Sequence, residues 1–236
     1  MENGLYRQPR FRNAGDRGLL VEYGDRISPA INRRVRATAL LLDRHPLAGV
    51  VEVIPTYRSL LLVYDPAMIA PRALKDAIIK LGSRLDTIEI PPPRVVEIPV
   101  CYGGDYGPDI HRVAAAHNLN ETEVVRIHSQ PDYLIYMIGF TPGFPFLGGL
   151  PEPLHTPRHE TPRTHVPAGS VGIANDQTGI YPVSSPGGWQ IIGRTPLTLF
   201  SPRRDNPFLF ETGDSIRFVP ISQGQFNHYG DQELSS

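Results

Sequence analysis

The stretch from Gly139 to Phe200 limits the possible folds of this chain more than any other segment. It is crowded with proline and glycine, and large apolar side chains stand between them. These are Phe140, Phe144, Phe146, Leu147, Val171, Ile173, Ile180, Tyr181, Trp189, Ile191 and Ile192. A disordered linker would lack such groups, because low hydrophobicity is what keeps a segment unfolded. We therefore expect an ordered, tightly turned, β-rich segment whose backbone is fixed by proline and glycine.

The same stretch contains three arginines and no lysine, which indicates a pocket for an anionic or planar amide-like ligand. The alternative is a β-barrel whose corners simply require glycine and proline. Lys75 and Lys80 are the only lysines, so a Schiff-base lysine, a phosphate-loop lysine and a Ser–Lys amidase pair are excluded after residue 80. An anion bound there must be held by arginine or by backbone N–H groups.

Composition indicates a globular protein, because 40% of the 236 residues are hydrophobic and 20% are charged. The net charge of −1 favours neither nucleic acid nor an anionic membrane as a partner. Cys101 is the sole cysteine, so it is expected to be a small buried side chain in a reducing compartment. The N-terminus lacks the apolar core of a signal peptide, and no apolar run approaches the ~20 residues of a membrane span. We expect a cytoplasmic protein.

Residues 1–90 predict an α+β domain. Ser28 and Pro29 are typical of a helix start, and Pro71 begins a second helix that Gly82 ends. The predicted strands are Gly18 to Tyr23, Val50 to Ile54, Leu60 to Tyr64 and a last one near Asp86 to Ile90. The order strand, helix, strand, strand, helix, strand is the split βαβ pattern of ferredoxin-like domains.

Pro91 to Pro93 predict a stiff linker, and residues 94–222 predict a β-barrel domain. Two short helices are expected, Pro108 to His117 and Glu121 to Ser129, the second with an Asn120–Glu123 capping box. The strand candidates are Arg94 to Val100, Tyr133 to Phe140, Ser170 to Ala174, Thr178 to Val183, Trp189 to Arg194, Thr198 to Phe200 and Ser215 to Val219. Ser185 to Gly188 is typical of a hairpin loop, and residues 223–236 of a polar, frayed tail.

A Thr-Pro-Arg repeat places Arg158 and Arg163 beside prolines that cannot lie in a central strand. Their guanidinium groups suit a carboxylate, a phosphate or an amide oxygen, although each could also be an ordinary solvated arginine. His155, His159 and His165 are close in sequence but lack a known metal-ligand spacing, so we predict no metal site. They are interpreted as surface histidines, one of which could carry a proton.

The remaining candidates lie on predicted turns and on one hairpin. We predict Arg163, Gln177, Tyr181 and Arg194 as catalytic residues, although core packing is the alternative role for Tyr181. Backbone N–H groups at Gly169 and Ser170 could bind an anion. The full set of predicted substrate- or anion-binding residues is Phe140, Arg158, His165, Gly169, Ser170, Gly187, Gly188 and Trp189.

Several long motifs occur in order along the chain, from about Asp16 to Pro220. They are GFTPGFPFLGGLP, LHTPR, PRTHVPAGSVGIA, QTGIYP, SPGGWQIIGRT and GDSIRFVP. Together they resemble the family of the 5-oxoprolinase B subunit, also called KipI-like or allophanate hydrolase subunit one. The same segment is similar to part of the carboxyltransferase domain of urea carboxylase.

The resemblance implies a cyclophilin-like β-barrel after the N-terminal domain. It implies one component of a hetero-oligomeric enzyme that hydrolyses 5-oxo-L-proline to L-glutamate with ATP and Mg²⁺, and that is inactive without its partners. The implied partners are a KipA-like subunit of the C type, together with a LamB/YcsF-type subunit of the A type.

Other functions remain open. A KipI-type inhibitor of a sensor histidine kinase would need no catalysis. Urea carboxylation or allophanate hydrolysis by this chain alone is excluded, because the sequence has no biotinyl site and no amidase lysine. Prolyl isomerase activity would rest on the barrel fold alone.

Overall fold

The computed structural model of the protein describes residues 4–85, 88–90 and 92–233. The chain divides into two units, Met1–Pro92 and Pro93–Ser236. Within the described residues, no helix combines the length and the hydropathy that a membrane crossing requires.

The first unit is a four-stranded antiparallel sheet with two helices. Its strands are β1 (Leu5–Ala14), β2 (Gly18–Gly24), β3 (Val50–Pro55) and β4 (Ser59–Tyr64), in the order β1-β2-β4-β3. Helix α1 (Pro29–Arg44) begins as predicted, because the Ser28 hydroxyl accepts a hydrogen bond from the Ile31 N–H at 3.2 Å. Helix α2 spans Pro71–Gly82. The core joins alternate residues of β2 and β4 to α1 and α2, including Leu19, Val21, Leu60, Leu62, Ile31, Val35 and Leu74.

The ferredoxin-like arrangement predicted for this unit is not confirmed. Asp86 and Thr87 lie outside the described residues, and Ile88 to Ile90 form no strand. Instead β1, which the sequence did not predict, pairs with β2 at the edge of the sheet. Apolar and polar residues alternate only weakly in β1. The position of β1 beside β2 therefore depends on main-chain pairing and on an ion pair from Arg12 Nε to the buried Glu22 carboxylate at 2.7 Å.

The β-barrel predicted for the second unit is confirmed, and the structure shows that it is closed and has seven strands. Its strands are β5 (Val95–Tyr102), β6 (Asp132–Ile138), β7 (Pro145–Leu147), β9 (Ser170–Ala174), β10 (Gln177–Ile180), β12 (Gln190–Arg194) and β13 (Ser215–Pro220). They close in the order β10-β7-β6-β13-β5-β12-β9 around an aliphatic and aromatic core. A finer likeness to cyclophilin stays a prediction.

A separate two-stranded ribbon corrects one prediction. Ser185 to Gly188 was predicted as a loop, but β11 (Ser185–Gly187) pairs with β8 (Arg163–Val166). A second correction concerns Thr198 to Phe200, which form no strand and contribute an isolated bridge from Phe200 to Phe208. Ser185 to Gly188 is rich in glycine and proline, and Thr198 to Phe200 is only three residues long, so long-range pairing decides the conformation of both.

Three helices complete the second unit. They are α3 (Ile110–Ala116), α4 (Glu121–Ser129) and α5 (Gln223–Glu233), with a 3-10 turn at Glu152–Leu154. The predicted Asn120–Glu123 capping box of α4 is confirmed. The tail predicted to be frayed forms α5 as far as Glu233, and residues 234–236 lie outside the described residues. Helix α5 starts with hydrogen bonds between Ser222 and Gln225, and Phe226 packs on Tyr106 at 4.5 Å between ring centroids.

Candidate functional site

A buried carboxylate links three elements of the second unit. Asp109 lies at the N-terminal end of α3, and its side chain is 7% exposed. Its Oδ1 accepts a hydrogen bond from Arg163 Nη2 at 2.6 Å, and its Oδ2 accepts one from the Ile191 N–H at 2.7 Å. The Asp109 N–H in turn donates to the Ile191 carbonyl at 2.8 Å. The carboxylate is therefore held between the start of α3, β8 and β12.

The environment keeps Asp109 charged. Burial alone would raise the pKa of its carboxyl group, because the charged form loses hydration. The hydrogen bonds from Arg163, from the Ile191 N–H and from His159 outweigh that effect, and the pKa of Asp109 lies below its usual value. Asp109 is therefore an anion at neutral pH, and its role is to hold its donors in place.

His159 stands between the charges of this site. Its Nε2 lies 2.9 Å from Arg163 Nη1 and 3.3 Å from Asp109 Oδ2, and its Nδ1 lies 3.3 Å from Arg112 Nη1. Its backbone N–H donates to the Gly188 carbonyl at 2.7 Å. A neutral imidazole has one acceptor nitrogen, so only one of the two guanidinium contacts can be a hydrogen bond at a time. We call Asp109, His159 and Arg163 the Asp109 cluster.

Three buried rings adjoin the ribbon that carries Arg163. Phe144, Tyr181 and Trp189, which we call the aromatic wall, pack edge to face with centroids 5.3 to 6.4 Å apart. The guanidinium carbon of Arg158 lies 5.8 Å from the centroid of the Trp189 ring. Burial raises the pKa of Tyr181, so its hydroxyl group stays protonated at neutral pH.

The structure brings one group of the predicted site residues together. Gly187 pairs with Arg163 across the ribbon, and it also faces the Tyr181 hydroxyl group. Gly188 lies against Pro162 and the His159 carbonyl. The residues of this group are Arg158, Arg163, Tyr181, Gly187, Gly188 and Trp189.

A second group lies at the opposite end of β12. Arg194 donates from Nε to the Ala168 carbonyl at 2.9 Å. The Gly169 N–H donates to the Tyr181 carbonyl at 2.7 Å, and the Ser170 N–H donates to the Pro167 carbonyl at 3.3 Å. Both amides that were expected to bind an anion are engaged in hydrogen bonds within the protein.

The other predicted residues occupy separate positions. Gln177 begins β10 opposite Ala174. His165 is exposed and lies 3.0 Å from the Ser184 hydroxyl group. Phe140 is 71% exposed, and its ring touches the aromatic wall only through Phe144, at 5.8 Å between centroids.

Sequence reasoning missed the centre of this site. Asp109 was predicted only as part of a helix start, and its partner Arg163 is 54 residues away in the chain. His159 was interpreted as a surface histidine, but its side chain is only 15% exposed. A Gly-Pro-Asp sequence before a helix is the one local signal, and it indicates a cap rather than an ion cluster. Among the described residues, no three histidine, cysteine, aspartate or glutamate side chains converge to bind a metal.

Replacing Gly187 by alanine is expected to disturb the aromatic wall. The new Cβ would collide with the Tyr181 hydroxyl group and would lie 2.7 Å from its Cζ. Because Tyr181 is 2% exposed and packed on two sides, we expect a loss of about 1–3 kcal/mol in the free energy of unfolding. Urea unfolding measures this loss. Gly188→Ala is the matched control, because its nearest atom would be 3.6 Å away, and an equal loss in both variants would contradict the prediction.

Sequence comparisons match most of this chain to known proteins. The sequence profile of the carboxyltransferase domain, subdomain C and D, matches residues 9–210. The 5-oxoprolinase B subunit of Bacillus subtilis (strain 168) is 41% identical over 234 residues, covering 94% of this chain and 97% of that protein. The 5-oxoprolinase B subunit of Escherichia coli O157:H7 is 44% identical over 212 residues, covering 89% and 95%.

Solved structures show the same fold. The crystal structure of TTHA0988 matches with a TM-score of 0.76 and 39% identity, over 87% of this chain but only 40% of that longer chain. The K. lactis urea amidolyase matches with a TM-score of 0.75 and 23% identity, over 93% of this chain and 15% of that one, which supports the fold alone. The profile match and the identity to the bacterial proteins over almost their full length agree, and the chain belongs to the 5-oxoprolinase B subunit family with its carboxyltransferase domain, subdomain C and D.

Proposed function

We propose that this chain is the B subunit of an ATP-dependent 5-oxoprolinase, which hydrolyses 5-oxo-L-proline to L-glutamate in the cytoplasm and is inactive without its partners. The partners are the KipA-like subunit, of the C type, and the LamB/YcsF-type subunit, of the A type. The names and full-length similarity of the bacterial relatives support this proposal. The observation that carries it is the Asp109 cluster, in which a buried carboxylate holds a partly exposed arginine beside a histidine.

The cluster suits a reaction at an amide carbonyl group. Asp109 has both oxygens engaged, so it positions Arg163 and His159 rather than taking a proton. Arg163 is 34% exposed, and a guanidinium group has more donors than Asp109 and His159 occupy. Those donors can stabilise the charge that develops on a lactam oxygen, while His159 moves a proton at its ring nitrogen.

The described residues show no preformed site for a magnesium-bound triphosphate. The Gly169 and Ser170 amides are engaged in internal hydrogen bonds, and the described residues offer no convergent metal ligands. ATP would make the lactam oxygen a better leaving group by phosphorylating it. In our proposal the nucleotide is therefore held mainly by a partner protein, and this chain contributes Arg158 and the Asp109 cluster to the shared site.

A kinase inhibitor of the KipI type is the competing function. An inhibitor requires only a binding surface, whereas the Asp109 cluster also holds a partly exposed arginine beside a histidine, groups that can act on an amide substrate. The Asp109 cluster therefore favours the enzyme.

Reconstitution tests the proposal. The chain should be co-expressed with the KipA-like and LamB/YcsF-type partners, and glutamate release should require both 5-oxoproline and ATP. Omitting any one of the three proteins should remove the activity, because the site is shared. An assembled complex that releases no glutamate, or activity of this chain alone, would contradict the proposal.

A further inference from the structure

A strained turn holds an exposed aromatic ring beside the candidate site. The Thr141 N–H donates to the Gly139 carbonyl at 2.8 Å, which closes a γ-turn around Phe140. Phe140 has φ of +66°, a left-handed conformation that bulky residues rarely adopt. A γ-turn of this hand is rare and strained, and such strain persists where function requires it.

The fold does not use the ring of Phe140 for its core. The side chain is 71% exposed, the largest exposure among the large hydrophobic side chains of the described residues. The adjacent Thr141 Oγ1 is buried without a hydrogen-bond partner. A strained backbone, an exposed phenyl ring and an unsatisfied hydroxyl group therefore coincide at two successive residues.

Further aromatic side chains extend this region. Gly143 packs against Phe200 and Phe208, since a Cβ added at Gly143 would lie 2.9 Å from Phe200 Cβ and 3.6 Å from Phe208 Cδ1. The rings of Phe200 and Phe208 stack at 5.2 Å between centroids, and both are partly exposed. We call Phe140, Pro142, Phe200 and Phe208 the Phe140 surface. This surface is a cluster of exposed and partly exposed aromatic side chains, and aromatic residues are enriched at the centres of protein interfaces.

We propose that the Phe140 surface is where the KipA-like partner docks, with the Phe140 ring in an apolar pocket of that partner. This inference rests on the proposed function. The surface is continuous with the candidate site, because Phe144 contacts both Phe140 and the aromatic wall. In TTHA0988 the matched region is 40% of the chain, so the equivalent unit there is joined to additional polypeptide. An occupant that is itself a polypeptide agrees with that organisation.

The test compares two substitutions at one position. Phe140→Ala removes the ring and keeps the strain, whereas Phe140→Gly removes both. We expect Phe140→Gly to melt about 2–4 °C above Phe140→Ala, because glycine adopts positive φ without strain. Both variants should bind the purified KipA-like partner at least about 30-fold more weakly than the wild-type chain, the effect of a central aromatic anchor. Met68→Ala is the control, because Met68 is 67% exposed on the other unit. The affinity of this variant for the KipA-like partner should change less than about twofold.

Each outcome supports or overturns the inference. Weaker binding by both Phe140 variants, with the Met68 variant unchanged, supports it. The inference is overturned if the Phe140 variants bind the KipA-like partner within about twofold of the wild-type affinity. It is also overturned if the wild-type chain does not bind that partner. A raised KM for 5-oxoproline with unchanged partner binding would make Phe140 a substrate contact instead. Loss of a self-dimer would make a second copy the occupant. A complex that assembles through Phe140 and releases no glutamate would contradict the proposed function and leave this interface in place.

Discussion

Replacing Arg163 by alanine should reduce kcat/KM for ATP-dependent 5-oxoproline hydrolysis by at least about 100-fold in the assembled complex. Arg163 donates to Asp109 at 2.6 Å and lies 2.9 Å from His159 Nε2, so its removal takes away the charge that would face the substrate and frees the imidazole. The buried Asp109 carboxylate would keep only the Ile191 N–H and His159 as donors. We expect the free energy of unfolding to fall by about 1–3 kcal/mol. The loss should lie at the lower end of this range, because the Arg163 side chain is one-third exposed and solvent screens its charge.

Matched variants separate catalysis from stability. Arg163→Lys keeps the charge without the planar fork, and it should restore stability more than activity. Arg217→Ala removes an arginine that is bonded to Asp132 at 2.7 Å on the surface, and it should leave activity unchanged. Steady-state kinetics with melting curves of each complex make the comparison. A folded Arg163→Ala complex with kcat/KM within about threefold of wild type would show that Arg163 lies outside the reaction site.

Acidification from about pH 6 to about pH 4 is expected to destabilise the protein through one buried histidine, by about 1 kcal/mol per pH unit. His128 is fully buried between α4 and the barrel and packs on the Phe218 ring at 4.5 Å between centroids. The Thr178 hydroxyl group donates to the Gly172 carbonyl, so it accepts from His128 Nε2–H at 2.9 Å. His128 Nδ1 then accepts from the Tyr102 hydroxyl group at 2.8 Å. The neutral imidazole has both of its hydrogen bonds, and a second ring proton would force the Tyr102 hydroxyl group to turn its own proton away from the ring.

The sign of the pH effect follows from that environment. Burial lowers the pKa of His128 to about 3, whereas the unfolded chain has the ordinary value of about 6.5. Between these values the unfolded state binds one more proton than the native state, so stability is complete above about pH 6.5 and falls as the pH decreases toward 3. Urea unfolding midpoints measured across this range report the slope.

His128→Gln provides the decisive comparison. Glutamine does not titrate, so this variant should lose the histidine-dependent slope, although it should be less stable than wild type at neutral pH by about 1–3 kcal/mol. His165→Gln is the control, because His165 is exposed, and its slope should match that of wild type. Equal slopes in wild type and His128→Gln would contradict the buried neutral assignment.

Local signals predicted much of the secondary structure. The Ser28 cap of α1, the Asn120–Glu123 capping box of α4 and several barrel strands follow from hydrogen bonds and apolar patterns within a few residues. The tail predicted to be frayed forms α5 as far as Glu233. The polar composition of the segment favoured a frayed tail, whereas the spacing of Ser222 and Gln225 is typical of a helix start.

Pairings between distant residues escaped prediction. Strand β1 has little apolar alternation, and its place next to β2 depends on main-chain hydrogen bonds and on the Arg12–Glu22 ion pair. The ribbon of β8 and β11 joins two stretches that look like turns when each is considered alone. Neither pairing leaves a periodic pattern in the sequence.

The sequence by itself determined that the region after residue 139 is ordered and β-rich and that its cations are arginines, and it predicted twelve residues for one site, Arg158, Arg163 and Trp189 among them. Only the tertiary structure decided which groups meet. It placed Asp109 against Arg163 across 54 residues, set His159 between them, and engaged the Gly169 and Ser170 amides within the fold. The physical reason is that the sequence gives the type of each side chain directly. The burial of a side chain and its hydrogen-bond partners depend on contacts between distant segments, which form only when the chain folds.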